Sequence, residues 1–489
     1  MSWVSWVYST ALLGMSILGL NMLFLTMVTI IVRLPWPRRI RPLPPMADDE
    51  WPTVLVQLPV FNERYVVDRL IDAVAALDYP AERLTIQVLD DSTDDTSTFA
   101  RSRVAYYRAR GRSITYLHRT DRSGFKAGAL AAGLEAADGE FVAIFDADFV
   151  PPVDFLRRTI PEFSRDPRIA AVQTRWEHLN HADDALTRAE ALALDGYFGV
   201  EQLARSRLGL LMVFNGSAGL WRRTAIADAG GWQGDTLAED LDLSYRAQLL
   251  GWRMTYLPNV ASPAELPTTM AAFKRQQFRW AKGSFQVLRK LGPRLLTSNT
   301  TLFRKLAGIL HLSSYFGNVL LIVSLLLSLP VVLLDHGQTP MHWGLVGLAG
   351  FGPPVLGAVA QLTMRKDWPK RLLYYPVLIL VGIGLTFSNT LATWEAIWGA
   401  HNDFLRTPKA PPGGEAVRAY ALPLDWTTWA ETFLAFYALV TGMLALELAH
   451  GLAPFIFLYA IGFGFTAALG FAQAHVVEQR QTASQTQTN

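Results

Sequence analysis

The sequence of 489 residues contains no cysteine, which excludes disulfides, thiolate metal sites and a cysteine nucleophile. It is also poor in charge: 18% of positions are charged, and 44 basic against 42 acidic residues leave a formal net charge of +2. No dense basic stripe offsets that balance, so the electrostatic case for a nucleic-acid partner is missing. Apolar surface is abundant instead. With 51% hydrophobic residues, 15 Trp and 26 Phe, the chain is too apolar for one ordinary soluble domain and fits a membrane enzyme.

The apolar stretches divide the chain. Residues 3–32 exceed the roughly 20 apolar residues that cross a bilayer, and "RLPWPRRIRP" follows them. The run is longer than the apolar core of a cleaved signal and no positive charge precedes it, so an anchor over 1–33 is expected. Its arginines are expected to stay in the cytosol, which places the middle of the chain there too. Further candidate spans are 302–334, 343–364, 372–393, 429–448 and 453–471. The third conflicts with its flanks: "MRKDWPKR" before it reads as cytosolic, and so should "FLRTPK" after it. Residues 372–412 are therefore expected to be re-entrant or interfacial, leaving five crossings. The polar tail, 476–489, reads as disordered.

Residues 51–267 alternate strand and helix signals. "TVLVQLPV" precedes the amphipathic "RYVVDRLIDAVAAL", "TIQVLDD" precedes a Thr- and Ser-rich turn and a helix, and "FVAIFDADF" is apolar until it ends in carboxylates. That pattern implies a doubly wound α/β sheet, whose ligands sit outside the carboxyl ends of the strands. The acidic residues gather at those ends. Asp90 and Asp91 close one strand. Asp146 and Asp148 close another and, two apart in extended geometry, share one face. Magnesium takes few protein carboxylates and completes its shell with water and phosphate, so this pair suits a metal-bound diphosphate, whereas an acidic loop is the plain alternative.

Glu239 and Asp240 fall in the first turn of an amphipathic helix, where the helix dipole alone accounts for carboxylates, although one near a metal-bound phosphate would also serve as a general base. Lys126 and Arg279 are the nearest candidate cations, and Trp280 offers a stacking face for a sugar. "MAAFKRQQFRWAKGSFQVLRKLG", within 268–299, also reads as an amphipathic interfacial helix. Neither role accounts for Gln276.

Taken together, "PVFNE", "VLDDSTDDT", "GFKAGAL", "FDADF", "FNGSAGLWRR", "LAEDLDL" and "QQFRW" resemble the ordered motif series of processive family 2 glycosyltransferases, and are most similar to the plant cellulose synthase-like A and C branch. The resemblance covers roughly residues 52–409. It implies a GT-A nucleotide-diphospho-sugar transferase domain inserted between transmembrane helices. By resemblance, Glu63, Asp90 and Asp91 contact the nucleoside, Asp146 and Asp148 hold Mg2+ or Mn2+ and the diphosphate, Lys126 and Glu239 lie at the nucleotide sugar, and Asp240 is the base. Gln276, Arg279 and Trp280 form a QxxRW motif at the acceptor. Phe404, Thr407 and Lys409 match a gating loop of cellulose synthases, while Arg406 and Pro408 depart from the bacterial pattern. After Lys409 there is no stretch long enough for the regulatory β-barrel of bacterial cellulose synthases.

The expected activity is thus inverting transfer from UDP-glucose or GDP-mannose, polymerising a β-linked, β-1,4 in this branch, hexose chain at the bilayer. Channel formation and translocation of the polymer are further implications of the resemblance. A non-processive transferase acting on a membrane lipid, like ceramide glucosyltransferases, is the alternative. A transporter gives no reason for three acidic pairs at strand and helix ends. Sugar identity and oligomeric state are not encoded in these motifs.

Overall fold

The structure, a computed structural model, describes residues 2–34, 50–336, 350–399 and 425–488, with side chains through 475. Its centre is a seven-stranded sheet: β1 (Val54–Val60), β2 (Leu84–Asp90), β3 (Ile114–His118), β4 (Phe141–Ile144), β5 (Ile169–His178), β6 (Gly219–Arg222) and β7 (Arg253–Ala264), in the order β3-β2-β1-β4-β6-β5-β7. β6 runs antiparallel to both neighbours, and every other pairing is parallel. The sheet is buried on both faces. Phe141, Ala143 and Phe145 belong to one core with Val54, Val56 and Leu58, while Val142 and Ile144 belong to the other with Leu89 and Leu130. Successive side chains of a strand alternate faces, so an unbroken apolar run such as Phe141–Ile144 feeds both cores.

Register then places the acidic loops. Val60 of β1 lies opposite Asp90 of β2, and Gln57 of β1 opposite Ile144 of β4. The residues just beyond, 61–63, 91 and 146–148, leave the sheet along one edge, the edge where open α/β sheets bind ligands. Asp146 and Asp148 do not lie in strand geometry as expected: β4 ends at Ile144, and the Phe149 amide donates to the Asp146 carbonyl at 3.0 Å in a turn. Phe145 is buried and its amide still donates to the Gln57 carbonyl at 3.2 Å, and the chain turns after it.

Helix Met270–Thr297 leaves the catalytic domain as one continuous 28-residue element, capped by the Thr269 side chain. Five described helices are long and apolar enough to cross a membrane: Trp3–Arg33, Phe316–Asp335, Tyr375–Trp398, Trp426–Leu448 and Ala453–His475. Several sequence expectations need correction here. The run 302–334 is two helices, Leu302–Leu312 and Phe316–Asp335, separated at Ser313–Tyr315 because Leu312 and Ile309 pack back onto the catalytic domain at Leu211 and Tyr245. Of 343–364, only Gly352–Met364 is a described helix. The polar tail is helical to Thr488 rather than disordered: it contains neither Gly nor Pro, and extending a helix avoids the cost of nucleating one.

Helix Tyr375–Trp398 is unbroken, which differs from a re-entrant loop, and both of its ends meet the catalytic side. Before it, Arg371 lies 3.6 Å from Asp195, and Arg188 sits over the Tyr374 ring at 4.7 Å. Near its end, Glu395 pairs with Lys282 at 2.8 Å, and Arg289 donates to the Ala396 and Ile397 carbonyls. Phe404, Thr407 and Lys409 lie outside the described residues.

Candidate active site

One cleft gathers most of the sequence candidates. Glu63, Asp91, Lys126, Asp146, Asp148, Glu239, Asp240, Gln276, Arg279 and Trp280 all line it. Asp90 does not: it is fully buried, accepting from the Ser92 amide at 2.9 Å and the Tyr116 hydroxyl at 2.6 Å. Burial alone would raise its pKa, and the hydrogen bonds from Ser92 and Tyr116 outweigh that and hold it below the ordinary carboxylate value. Asp90 therefore braces the loop that carries Asp91. Asp91 accepts two hydrogen bonds from Arg119, at 2.8 and 2.6 Å, a planar fork that fixes its orientation. Sequence reading passed over Arg119, whose only signal is its place in "HRTDRSGFK", seven residues before Lys126.

The middle of the cleft is built on Lys126 and Gly216. Lys126 Nζ lies 2.5 Å from Asp146 Oδ1 and 3.8 Å from Glu239 Oε1, and donates to the Gly216 carbonyl at 2.9 Å. Burial would lower its pKa, but Asp146 and Glu239 more than offset this and raise it. Gly216 has φ of +77°, and a Cβ there would stand 2.8 Å from Asp240 Oδ2 and 3.3 Å from Lys126 Nζ. Asn62, Phe125 and Ala218, each within two residues of a cleft-lining residue in sequence, also adopt positive φ. Next to Gly216, Asn215 donates to the Tyr197 hydroxyl at 2.9 Å and accepts from Gln202 at 2.8 Å. Tyr197 and Gln202 begin and end a π-helical turn, and neither was singled out from the sequence.

Asp240 stands in the first turn of helix Glu239–Leu249 as expected, its Oδ1 accepting from the Leu241 amide at 2.7 Å. Burial and the adjacent Glu239 raise its pKa to about 7, with Lys126 opposing them. A carboxylate with that value accepts a proton more readily near neutral pH than an ordinary one, as a general base requires. Arg279 reaches the same cleft from helix Met270–Thr297. Burial lowers its pKa, with Glu239, Asp146 and Asp240 pulling upward, and a guanidinium so placed remains charged.

Whether a divalent metal fits can be judged from this donor set. Seven carboxylates line the cleft against Arg122, Lys126 and Arg279. Asp91 is paired with Arg119, and Glu265 with Arg69 at 2.7 Å, which leaves five carboxylates facing three cations. A diphosphate would be repelled by that excess unless a cation entered with it. Among the described residues no three acidic or histidine side chains converge as a ready-made metal cage. Asp146 and Asp148 together suit Mg2+ or Mn2+ completed by substrate phosphate and water, and the donors therefore fit the group.

The chain is similar to known proteins over most of its length. Residues 52–283 match the family model described as "Glycosyltransferase like family 2". The chain is 33% identical over 484 residues to glucomannan 4-beta-mannosyltransferase 2 of Arabidopsis thaliana, covering 93% of this chain and 88% of that one. It is 44% identical over 252 residues to glucomannan 4-beta-mannosyltransferase 1 of Oryza sativa subsp. japonica, covering 51% of this chain and 48% of that one. Among solved structures, a mannosyltransferase from Pyrobaculum calidifontis in complex with GDP-Man and Mn2+ superposes with a TM-score of 0.55 at 20% identity, over 81% of this chain and 99% of that one, and so shares the fold. The mixed sheet is that of a GT-A glycosyltransferase, and the chain belongs to the family 2 glycosyltransferases, in the cellulose synthase-like branch that its motifs resembled.

Proposed function

We propose that this protein transfers mannosyl units from GDP-mannose to the growing end of a β-1,4-linked mannan or glucomannan at the membrane. The observation that carries the reading is the convergence of Asp240 with Gln276, Arg279 and Trp280 on one cleft at the start of a helix packed against membrane helices. The relatives that act as glucomannan mannosyltransferases favour mannose over glucose and a polymer over a lipid acceptor.

In this mechanism Trp280 and Gln276 seat the acceptor sugar. Asp240 takes the proton of its attacking hydroxyl, the freed oxygen bonds to C1 of the donor, and the bond from C1 to the diphosphate breaks, inverting the anomeric centre. Lys126 and Arg279 balance the charge that develops on the departing diphosphate. A divalent ion held by Asp146 and Asp148 would supply Lewis-acid neutralisation of that diphosphate. We place the catalytic domain on the cytosolic side and helix Tyr375–Trp398 along the membrane face. A crossing would carry one of its ends about 30 Å away, whereas both ends touch catalytic-side residues.

Purified protein in detergent, given labelled GDP-mannose or UDP-glucose with Mn2+ or Mg2+, should convert GDP-mannose into ethanol-insoluble product that β-mannanase digests. Label extracted into organic solvent, or a product resistant to β-mannanase, would count against the proposal. Asp148→Ala should weaken Mn2+-dependent donor binding by about tenfold in calorimetric titration, while binding without metal stays unchanged. A wild type that binds the donor equally with and without Mn2+ would remove the metal from the scheme.

The pH dependence follows from Asp240. Its folded pKa of about 7 lies above the ordinary 3.8, so the proton-accepting form gains population as pH rises through 7. Turnover per unit of free enzyme, kcat/KM, should climb about tenfold from pH 6 to pH 8 and then level. A profile already flat at pH 5 would mean that the base is an unperturbed carboxylate.

A further inference from the structure

We propose that Lys274 and Lys282 are positioning residues for acceptor transfer, fastening the far side of the QxxRW helix to two membrane-side helices and thereby setting where Gln276, Arg279 and Trp280 stand in the cleft. The inference rests on the functional reading above. With roughly 100° of rotation per residue, Gln276, Arg279 and Trp280 share one face of helix Met270–Thr297. Lys274 falls on the opposite face, and Lys282 about a third of a turn from the cleft side.

Both lysines end in ion pairs with different helices. Lys274 Nζ is 2.6 Å from Glu431 Oε2 of helix Trp426–Leu448, with the two side chains 6% and 0% exposed. Lys282 Nζ is 2.8 Å from Glu395 Oε2 of helix Tyr375–Trp398, and the lysine is 3% exposed. The pairs bracket the motif in sequence, one before Gln276 and one after Trp280. Weaker fastenings run the same way: the Met270 amide donates to Gln473 at 3.0 Å, and Tyr315 donates to Gln277 at 3.2 Å.

Stability alone does not explain them. Apolar side chains of similar size would seal these helix contacts without the cost of desolvating two charges. A buried ion pair does fix register, because neither charge tolerates sliding away from the other. The QxxRW helix packs extensively on helix Tyr375–Trp398, so a shift of the membrane helices is transmitted to Trp280 and Gln276. The donor residues Asp91, Asp146 and Asp148 sit on the sheet edge and are spared such a shift.

This separation defines the test. Lys274→Met should reduce elongation of a manno-oligosaccharide acceptor by about tenfold or more, chiefly as a raised acceptor KM. Binding of GDP-mannose should stay within twofold of wild type, and its slow hydrolysis by water, which draws on Arg279 but not on Gln276 or Trp280, should fall several-fold less than elongation. The exchanged pair, Lys274→Glu with Glu431→Lys, should recover most of the elongation. Wild-type elongation in Lys274→Met overturns the proposal, and so does an equal loss of hydrolysis and elongation. If Lys274→Met fails to fold, Glu395→Gln serves, since that carboxylate is 42% exposed: a lowered ratio of elongation to hydrolysis supports the proposal, and an unchanged ratio overturns it. Absence of elongation in the wild type would instead refute the functional reading.

Discussion

Asp240→Asn should lower elongation by at least about a thousandfold while the affinity for GDP-mannose changes by less than threefold. Asparagine keeps the size of the side chain and an oxygen for the Leu241 amide, so the start of helix Glu239–Leu249 keeps its shape. What disappears is a proton-accepting carboxylate whose Oδ2 lies against Gly216 and whose charge Lys126 offsets. Lys126 retains its contact with Asp146, so the charge arrangement facing the diphosphate survives. Calorimetric titration with GDP-mannose and a product assay on the same preparation check both halves. Elongation within tenfold of wild type would remove Asp240 as the base, and loss of donor binding would make it a donor ligand. Glu239, 3.8 Å from Lys126, would then be the next candidate base.

The acidic pairs were legible in the sequence because a buried strand ending in carboxylates is chemically costly without a ligand, and two such ends and one helix start point at one place. Their local geometry was less legible. Asp146 and Asp148 were assigned a shared strand face, yet they meet the cleft from a turn, since nothing in "FDADF" marks where the strand stops. Asp90 and Asp91 look equivalent in sequence. Partners distant in sequence separate the buried brace from the cleft residue: the Tyr116 hydroxyl, 26 residues away on the neighbouring strand, for Asp90, and Arg119 for Asp91. Arg119 and the Tyr197–Gln202 turn were missed for the same reason: their partners are distant in sequence and leave no spacing to read.

The membrane part shows the converse. Hydropathy located most apolar helices, but it measures length and composition, whereas the course of Tyr375–Trp398 depends on Lys282, Arg289 and Asp195, which lie in other segments. The two lysines flanking the QxxRW motif, Lys274 and Lys282, looked in sequence like headgroup ligands of an interfacial helix. Their partners turn out to be carboxylates of the protein itself.

Gly216→Ala should lower elongation by about a hundredfold, although the residue carries no functional group. Two costs act together. At φ of +77° an alanine is strained, by roughly 1–2 kcal/mol for a left-handed non-glycine residue. The larger effect comes from contact: the new Cβ would stand 2.8 Å from Asp240 Oδ2, closer than carbon and oxygen settle without bonding. Because that oxygen is the end of a short side chain, the clash is relieved cheaply in energy by turning the carboxylate away. The turn displaces the proton acceptor from the attacking hydroxyl, and a misplacement near 1 Å suffices for such a loss. Lys126, 3.3 Å from the same Cβ and bonded to the Gly216 carbonyl, is pushed in turn, so donor binding should weaken by only a few fold. The measurement is kcat for elongation beside the thermal midpoint of the same variant. A near-wild-type kcat at a lowered midpoint would confine Gly216 to folding, whereas a near-wild-type midpoint with a collapsed kcat locates its function in the placement of Asp240.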